Sequence, residues 1–100
     1  MLFVAGKADI DWSKVDDADA GLDAMMAASR AEAGCLGYLL VRDPLNPQTI
    51  LIHECWQDDA ALKAHFAEPH MAVFQRRFGP AILKVDVKIY DIAGERPLAL

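Results

Sequence analysis

Two histidines and one tryptophan lie within residues 54–71, where a predicted strand gives way to predicted helices. Trp56 closes the strand, and His65 and His70 stand on either side of Pro69. An imidazole with an ordinary pKa of about 6.5 takes up and releases protons near neutrality, and an indole offers a flat apolar wall. We therefore expect this unit to line any pocket in the chain, with His65 and His70 as proton-transfer groups.

Each histidine also has a structural interpretation. His65 lies beside the inward stripe of its predicted helix, but as a helix-surface residue it would instead pair with a carboxylate such as Glu68. His70 follows a proline at a helix start, where a histidine can serve as a cap or a loop residue. His53 alternates away from Trp56 along the same strand. We expect His53 at an interface rather than in a catalytic role.

The spacing of these residues argues against a metal site. His65 and His70 are five residues apart with a proline between them, whereas two ligands on one helical face are four apart. No carboxylate or cysteine is spaced to complete a ligand set, and Glu54 is predicted to form an ion pair with Arg42 on the adjoining strand. We therefore expect no metal.

Composition narrows the range of partners. The net charge of −5 argues against nucleic acid and against an anionic membrane surface, because both need a basic face. No apolar run approaches the roughly 20 residues of a membrane span. Cys35 and Cys55 fall in predicted strands and not at metal-ligand spacing. Buried, reduced thiols in a cytoplasmic protein are the expected interpretation.

The hydrophobic pattern predicts the element order strand, helix, strand, strand, helix, strand. That order is the split βαβ pattern of a ferredoxin-like α+β domain, βαββαβ. The predicted strands cover residues 2–9, 35–43, 49–57 and 85–92, and the helices begin at Asp16 or Asp17, at Asp58 and at Pro69. We expect a single domain over residues 1–93 and a C-terminal tail over residues 94–100.

The second predicted strand is apolar on both faces. Cys35, Leu39 and Val41 alternate with Leu36, Tyr38 and Leu40 along it. Helices can cover only one face of this sheet, and an antiparallel sheet with one solvated face would show polar residues there. A second copy of the chain would cover the remaining face most simply, so we expect a two-fold homodimer formed sheet against sheet.

Several runs resemble the antibiotic biosynthesis monooxygenase domain family in order and spacing, from Leu2 to about Ile92. They are Ala28–Tyr38, Asp43-Pro44, Glu54-Cys55-Trp56, Ala61–His65 and Pro69-His70-Met71 with Phe74. The resemblance implies a dimeric α+β barrel. It also implies oxygenation of a phenolic, quinol or polyketide-like substrate by O₂ without metal, flavin or haem. The sole asparagine, Asn46, lies in the predicted hairpin turn, which departs from the haem-degrading relatives.

The resemblance also implies a site. His65 and His70 are the expected catalytic residues. The residues expected to contact substrate are Trp56, Tyr38, Ile52, Phe66 and Phe74. Two other functions fit the same residues: an isomerase that moves a proton by histidine on a small carbonyl compound, and a ligand-binding barrel without catalysis.

Overall fold

The computed structural model describes all 100 residues and contains a four-stranded antiparallel sheet with three α-helices. In chain order the elements are β1 (Leu2–Ile10), α1 (Ala18–Arg30), β2 (Cys35–Asp43), β3 (Asn46–Trp56), α2 (Asp59–Phe66), α3 (Pro69–Phe78) and β4 (Ile82–Asp91). The strands lie in the order β2-β3-β1-β4, and all three neighbouring pairs are antiparallel. The ferredoxin-like α+β fold predicted from the sequence is therefore confirmed.

Two of the three predicted helix starts have the expected local chemistry. The Asp58 side chain accepts a hydrogen bond from the Ala61 amide at 2.8 Å, which satisfies one of the free N–H groups at the start of α2. Pro69 occupies the first turn of α3, where its missing N–H costs no hydrogen bond. Asp17 precedes α1 with φ of 51° and makes no side-chain capping bond, so that predicted cap is wrong.

The core lies between the helices and one face of the sheet. Alternate residues of β1 and β3 are buried there, and Trp56 at the end of β3 is fully buried. Because side chains alternate along a strand, the opposite face carries the intervening residues. Leu39, Val41 and Leu51 on that opposite face are 37–39% exposed.

The start of β2 differs from the predicted alternation. Cys35 pairs with Trp56, whereas the next register pair joins Gly37 to Cys55, so Leu36 is an extra residue in the strand. Such a bulge moves the side chains of the residues before it to the other face of the sheet. Cys35 therefore packs against the core, and Leu36 is 58% exposed. The expectation that Cys35 shares a face with Leu39 and Val41 is wrong.

The chain after β4 forms no further regular element. Residues 92–100 contain neither helix nor strand. None of the helices combines the length and the apolar character that crossing a membrane requires.

Candidate functional site

A cavity of about 170 Å³ lies between the sheet and α3. Its walls are Ala8, Ile10, Tyr38, Leu40, Ile50, Ile52, Glu54, Met71, Phe74, Phe78, Ile82 and Val85. Three of the residues expected to contact substrate, Tyr38, Ile52 and Phe74, are among them. Ile82 and Val85 on β4 are 39% and 58% exposed, so the cavity opens toward solvent beside β4.

Glu54 is the one residue in this lining that carries a carboxyl group. Its Oε1 accepts a hydrogen bond from Trp56 Nε1 at 2.9 Å, which leaves Oε2 without a hydrogen-bond partner in the protein. Burial raises the pKa of Glu54, and the Trp56 N–H and the nearby His65 partly oppose that rise. Sequence reasoning gave Glu54 a structural role and did not place it in the cavity.

The predicted Glu54–Arg42 ion pair does not form. Arg42 instead binds Asp19 on α1 at 3.0 Å, and its guanidinium lies 3.8 Å from the ring centroid of Trp12. Glu54 is buried, whereas the side chain of Arg42 is 36% exposed beside Asp19. No arginine or lysine therefore pairs with Glu54, which is consistent with its raised pKa.

Tyr38 lines the cavity, and its hydroxyl is neutral and lies near Ser29 of α1. Burial, assisted by the charge of Glu54, raises the pKa of Tyr38 above its ordinary value, so the phenol keeps its proton at physiological pH. The ring is 5% exposed and meets Trp56 edge-on with centroids 6.2 Å apart. A protonated phenol at this position can donate a hydrogen bond to an oxygen on a bound ring.

Trp56 and His65 lie directly behind the residues that line the cavity. They are 0% and 1% exposed, and their ring centroids are 4.6 Å apart. Neither is among the lining residues, although both were expected to border the cavity. Trp56 nevertheless contacts two residues that do line it, through its hydrogen bond to Glu54 and its edge contact with Tyr38.

A hydrogen-bonded cluster joins both candidate histidines to Glu32. Glu32 Oε2 lies 2.6 Å from His65 Nδ1 and 2.7 Å from His70 Nε2. His65 therefore pairs with Glu32 and not with Glu68. Its second nitrogen, Nε2, is buried and has no hydrogen-bond partner. The sequence-based statement that no carboxylate completes a histidine cluster is wrong.

The loop between α1 and β2 carries Glu32 to this position. Gly34 in that loop has φ of +84°, and a Cβ there would lie 2.7 Å from the Cβ of Ala61 on α2. Only glycine combines this backbone conformation with so close an approach. The loop therefore packs directly against α2, which brings Glu32 to His65 across 33 residues of sequence.

The cluster's donor set could suit a divalent metal, but its geometry is that of hydrogen bonds. Two histidine nitrogens and one carboxylate oxygen lie within 4.8 Å of one another, a ligand type that zinc accepts. Ligands around tetrahedral zinc are about 3.3 Å apart, as bond lengths of about 2.0 Å require. Glu32 Oε2 is closer than that to both nitrogens, so Glu32 would have to move before a metal could enter.

The remaining candidates lie outside the cavity. Phe66 is 59% exposed and its ring lies 5.7 Å from that of His65 on the outer side of α2, so its expected contact with substrate finds no support in the geometry. His70 is 22% exposed at its side chain and borders a separate groove of about 130 Å³ between α1 and α3. His53 is exposed on the opposite face of the sheet and stacks on Phe3 with centroids 5.0 Å apart.

Comparison with known proteins agrees with this fold. Residues 1–77 match the family model described as antibiotic biosynthesis monooxygenase. The uncharacterized protein sll1783 of Synechocystis is 30% identical over 98 residues, which cover 97% of this chain and 67% of that protein. The crystal structure of PA3566 from Pseudomonas aeruginosa is 33% identical, with a TM-score of 0.75 over 92% of this chain and 94% of that one. Rv0793 from Mycobacterium tuberculosis has a TM-score of 0.81 at 23% identity, over 96% and 98% of the two chains. This chain belongs to the antibiotic biosynthesis monooxygenase family.

Proposed function

We propose that this protein is a cofactor-independent monooxygenase that oxidises a small phenolic or quinol-like aromatic compound with O₂. The observation that carries the proposal is the cavity between the sheet and α3, whose lining is apolar and aromatic except for Glu54. Family membership supports monooxygenase chemistry. The shape and lining of the cavity support the class of substrate.

The size of the cavity favours a compact aromatic compound. Its volume is about 170 Å³, and an apolar cavity of about 150 Å³ is large enough to hold benzene. Ile52 and Phe74 provide apolar surface for the faces of a ring. The exposed side near Val85 leaves room for a second ring or a substituent to extend outward.

Proton removal is the step for which the residues are best suited. Glu54 Oε2 has no hydrogen-bond partner of its own, and burial raises the pKa of Glu54, which makes it a stronger base than an exposed carboxylate. Removing the proton gives an electron-rich anion that can transfer an electron to O₂. Tyr38 can hold a ring oxygen by donating a hydrogen bond to it.

The reaction balances without an external reductant. A quinol that loses its hydroxyl protons and electrons to O₂ gains one oxygen atom on a ring carbon, and the other oxygen leaves as water. The substrate supplies all of the electrons, so 1,4-dihydroxynaphthalene and O₂ give 2-hydroxy-1,4-naphthoquinone and water. The apolar lining would exclude bulk water from the reactive anion.

The proposed working form is a homodimer. Leu39, Val41 and Leu51 on the sheet face opposite the helices are each more than a third exposed, and Tyr90 on the same face is 51% exposed. Apolar surface of this kind is favourably buried by a second sheet. The dimer would also restrain the sheet that forms the cavity floor.

Oxygen consumption with a matched pair of variants tests the proposal. With 1,4-dihydroxynaphthalene as substrate, we expect wild-type protein to exceed the rate of spontaneous oxidation. Glu54→Gln should lower the enzyme-dependent rate by about 10²-fold or more, as loss of a general base does. Glu95→Gln, in the exposed tail, should leave it unchanged. Equal rates for Glu54→Gln and wild type would exclude Glu54 as the base.

A further inference from the structure

We infer that Glu32, His65 and His70 form a reversible binding site for one divalent cation of the zinc type. The three residues come from the α1–β2 loop, α2 and the first turn of α3. Each offers one ligand atom, namely Glu32 Oε2, His65 Nδ1 and His70 Nε2, and these atoms lie within 4.8 Å of one another. The inference does not rest on the proposed function.

The two histidines reach the same point from different helices. His65 lies on α2 and His70 on α3, so the four-residue spacing of two ligands on one helical face does not apply to them. Glu32 supplies the carboxylate that the spacing of the histidines did not reveal. Two imidazole nitrogens and one carboxylate oxygen are a ligand set that zinc accepts, with water as the fourth ligand.

Hydrogen bonds hold the ligand atoms close to the arrangement that a metal needs. Glu32 Oε2 lies 2.6 Å from His65 Nδ1 and 2.7 Å from His70 Nε2. Ligands about 2.0 Å from a tetrahedral zinc ion are about 3.3 Å apart. Glu32 Oε2 therefore has to withdraw from each nitrogen by about 0.6–0.7 Å, which a small rotation of its side chain can provide.

Metal binding changes the tautomer of both histidines. A carboxylate only accepts hydrogen bonds, so in the hydrogen-bonded cluster His65 Nδ1 and His70 Nε2 both donate to Glu32. A ligand nitrogen must offer a lone pair. Each neutral ring therefore moves its hydrogen to the other nitrogen, and no net proton is released.

The strength of the site is limited by what the ion must replace. Binding breaks the two hydrogen bonds to Glu32. It also places a hydrogen on His65 Nε2, which is buried and has no hydrogen-bond partner, whereas a metal-bound histidine usually donates from its second nitrogen. Both effects weaken binding, so the ion should leave on dialysis against metal-free buffer.

His70 provides a path for the ion from solvent. The side chains of His65 and Glu32 are 1% and 8% exposed, whereas that of His70 is 22% exposed. His70 also borders the groove between α1 and α3, from which an ion can enter while it keeps a water ligand. None of the three ligands lines the cavity beside Glu54. A bound ion is therefore separate from the proposed oxygenation.

Calorimetric titration of protein treated with EDTA tests the site directly. Imidazole ligands suit zinc, whereas Mg²⁺ prefers octahedral oxygen ligands and keeps several waters. We expect one Zn²⁺ to bind per chain and Mg²⁺ not to bind. No binding of Zn²⁺, or equal binding of Mg²⁺, overturns the inference.

Substitutions identify the ligands. His70→Ala and Glu32→Gln should each lower the affinity for Zn²⁺ by at least about 10²-fold, because loss of outer-shell partners alone costs about 10–100-fold. Circular dichroism checks that each variant folds. His53→Ala, on the opposite face of the sheet, is the matched control and should bind Zn²⁺ as wild type does. Wild-type affinity in His70→Ala, or lost affinity in His53→Ala, overturns the assignment.

Spectroscopy tests the ligands without any substitution. In long-range ¹H–¹⁵N correlation spectra, added Zn²⁺ should shift the signals of His65 Nδ1 and His70 Nε2 together and leave those of His53 unchanged. Shifts confined to His53 overturn the inference. Co²⁺ in place of Zn²⁺ should give the visible bands of a tetrahedral site. An intense near-ultraviolet band from thiolate ligation would assign the ion to Cys35 or Cys55 and would also overturn it.

Quinol oxidation separates this site from the proposed function. Protein treated with EDTA should oxidise 1,4-dihydroxynaphthalene at the rate of untreated protein, because the three ligands lie outside the cavity lining. An oxidation rate that requires added Zn²⁺ contradicts the separation of the two sites. If the protein binds Zn²⁺ through these residues yet oxidises no quinol, the proposed function fails and the metal site stands.

Discussion

Replacing Trp56 by Phe should destabilise the protein by an amount that depends on pH. The substitution keeps an aromatic ring in the core but removes the Nε1–H group that donates to Glu54 Oε1 at 2.9 Å. Glu54 is 8% exposed and forms no ion pair with an arginine or lysine, so this N–H is its main stabilising contact in the ionised form, ahead of the nearby His65. The cost of losing the contact therefore follows the charge of Glu54.

The sign and size of the effect can be worked out from the pKa of Glu54. Burial raises this pKa above the unfolded value of about 4.3. The contribution of Glu54 to the free energy of unfolding is therefore fully present at a pH below the unfolded pKa, and it is lost as pH rises through the folded pKa. Trp56→Phe raises the folded pKa further, which enlarges the loss. Hydrogen bonds to charged groups contribute about 1.5–3 kcal/mol and neutral ones about 0.5–1.5 kcal/mol. The destabilisation by Trp56→Phe should therefore be about 1–1.5 kcal/mol larger when Glu54 is ionised than when it is protonated.

Urea unfolding followed by far-ultraviolet circular dichroism measures this difference at matched protein concentration. The smaller ring also leaves a void, but its cost of about 24 cal/mol per Å³ does not depend on pH. The destabilisation by Trp56→Phe should therefore increase as pH rises from about 4.3, the unfolded pKa, through the raised folded pKa of Glu54. In a Glu54→Gln background it should be constant. A pH-independent cost in the wild-type background would refute the electrostatic interpretation of the Trp56–Glu54 bond.

Three further predictions concern assembly, cofactor content and substrate contact. Sedimentation should give about twice the 11.0 kDa chain mass, and Leu51→Glu on the exposed sheet face should shift the protein to monomer; a monomeric wild type would contradict the dimer. Dialysed protein should show no visible absorption band and no stoichiometric metal, and a persistent flavin or haem band would contradict the cofactor-free mechanism. Phe74→Ala should raise KM for the quinol about 10-fold, because removing a ring contact in an apolar pocket costs roughly 1–3 kcal/mol, whereas Phe66→Ala on the exposed side of α2 should leave KM unchanged.

The fold was largely accessible from the sequence because its signals are local. Alternating apolar residues set the strands, and Asp58 and Pro69 mark two helix starts by capping and φ restriction. The prediction that Cys35 and Leu39 share one face of the sheet is wrong because one extra residue reverses the alternation of side chains. A bulge gives no clear signal in a strand sequence that is apolar on both faces.

The candidate site was less accessible because its polar contacts join distant parts of the chain. Glu32 meets His65 and His70 only because the fold packs the α1–β2 loop against α2. The sequence offered one indirect signal, Gly34, which marks a close approach but does not identify what approaches. The prediction that Glu54 forms a structural ion pair with Arg42 is wrong because alternation gives the face of each side chain but not the distance between them.

Isotope labelling is the most direct test of the central claim that the cavity supports oxygenation driven by the substrate's own electrons. Purified protein, free of added reductant, would be supplied with ¹⁸O₂ and 1,4-dihydroxynaphthalene, and the product analysed by mass spectrometry alongside an enzyme-free control. We predict a hydroxyquinone that carries a single ¹⁸O atom, one O₂ consumed per quinol, and loss of this product in Glu54→Gln. An unlabelled quinone formed with stoichiometric hydrogen peroxide, or a labelled product no more abundant than in the enzyme-free control, would contradict the claim.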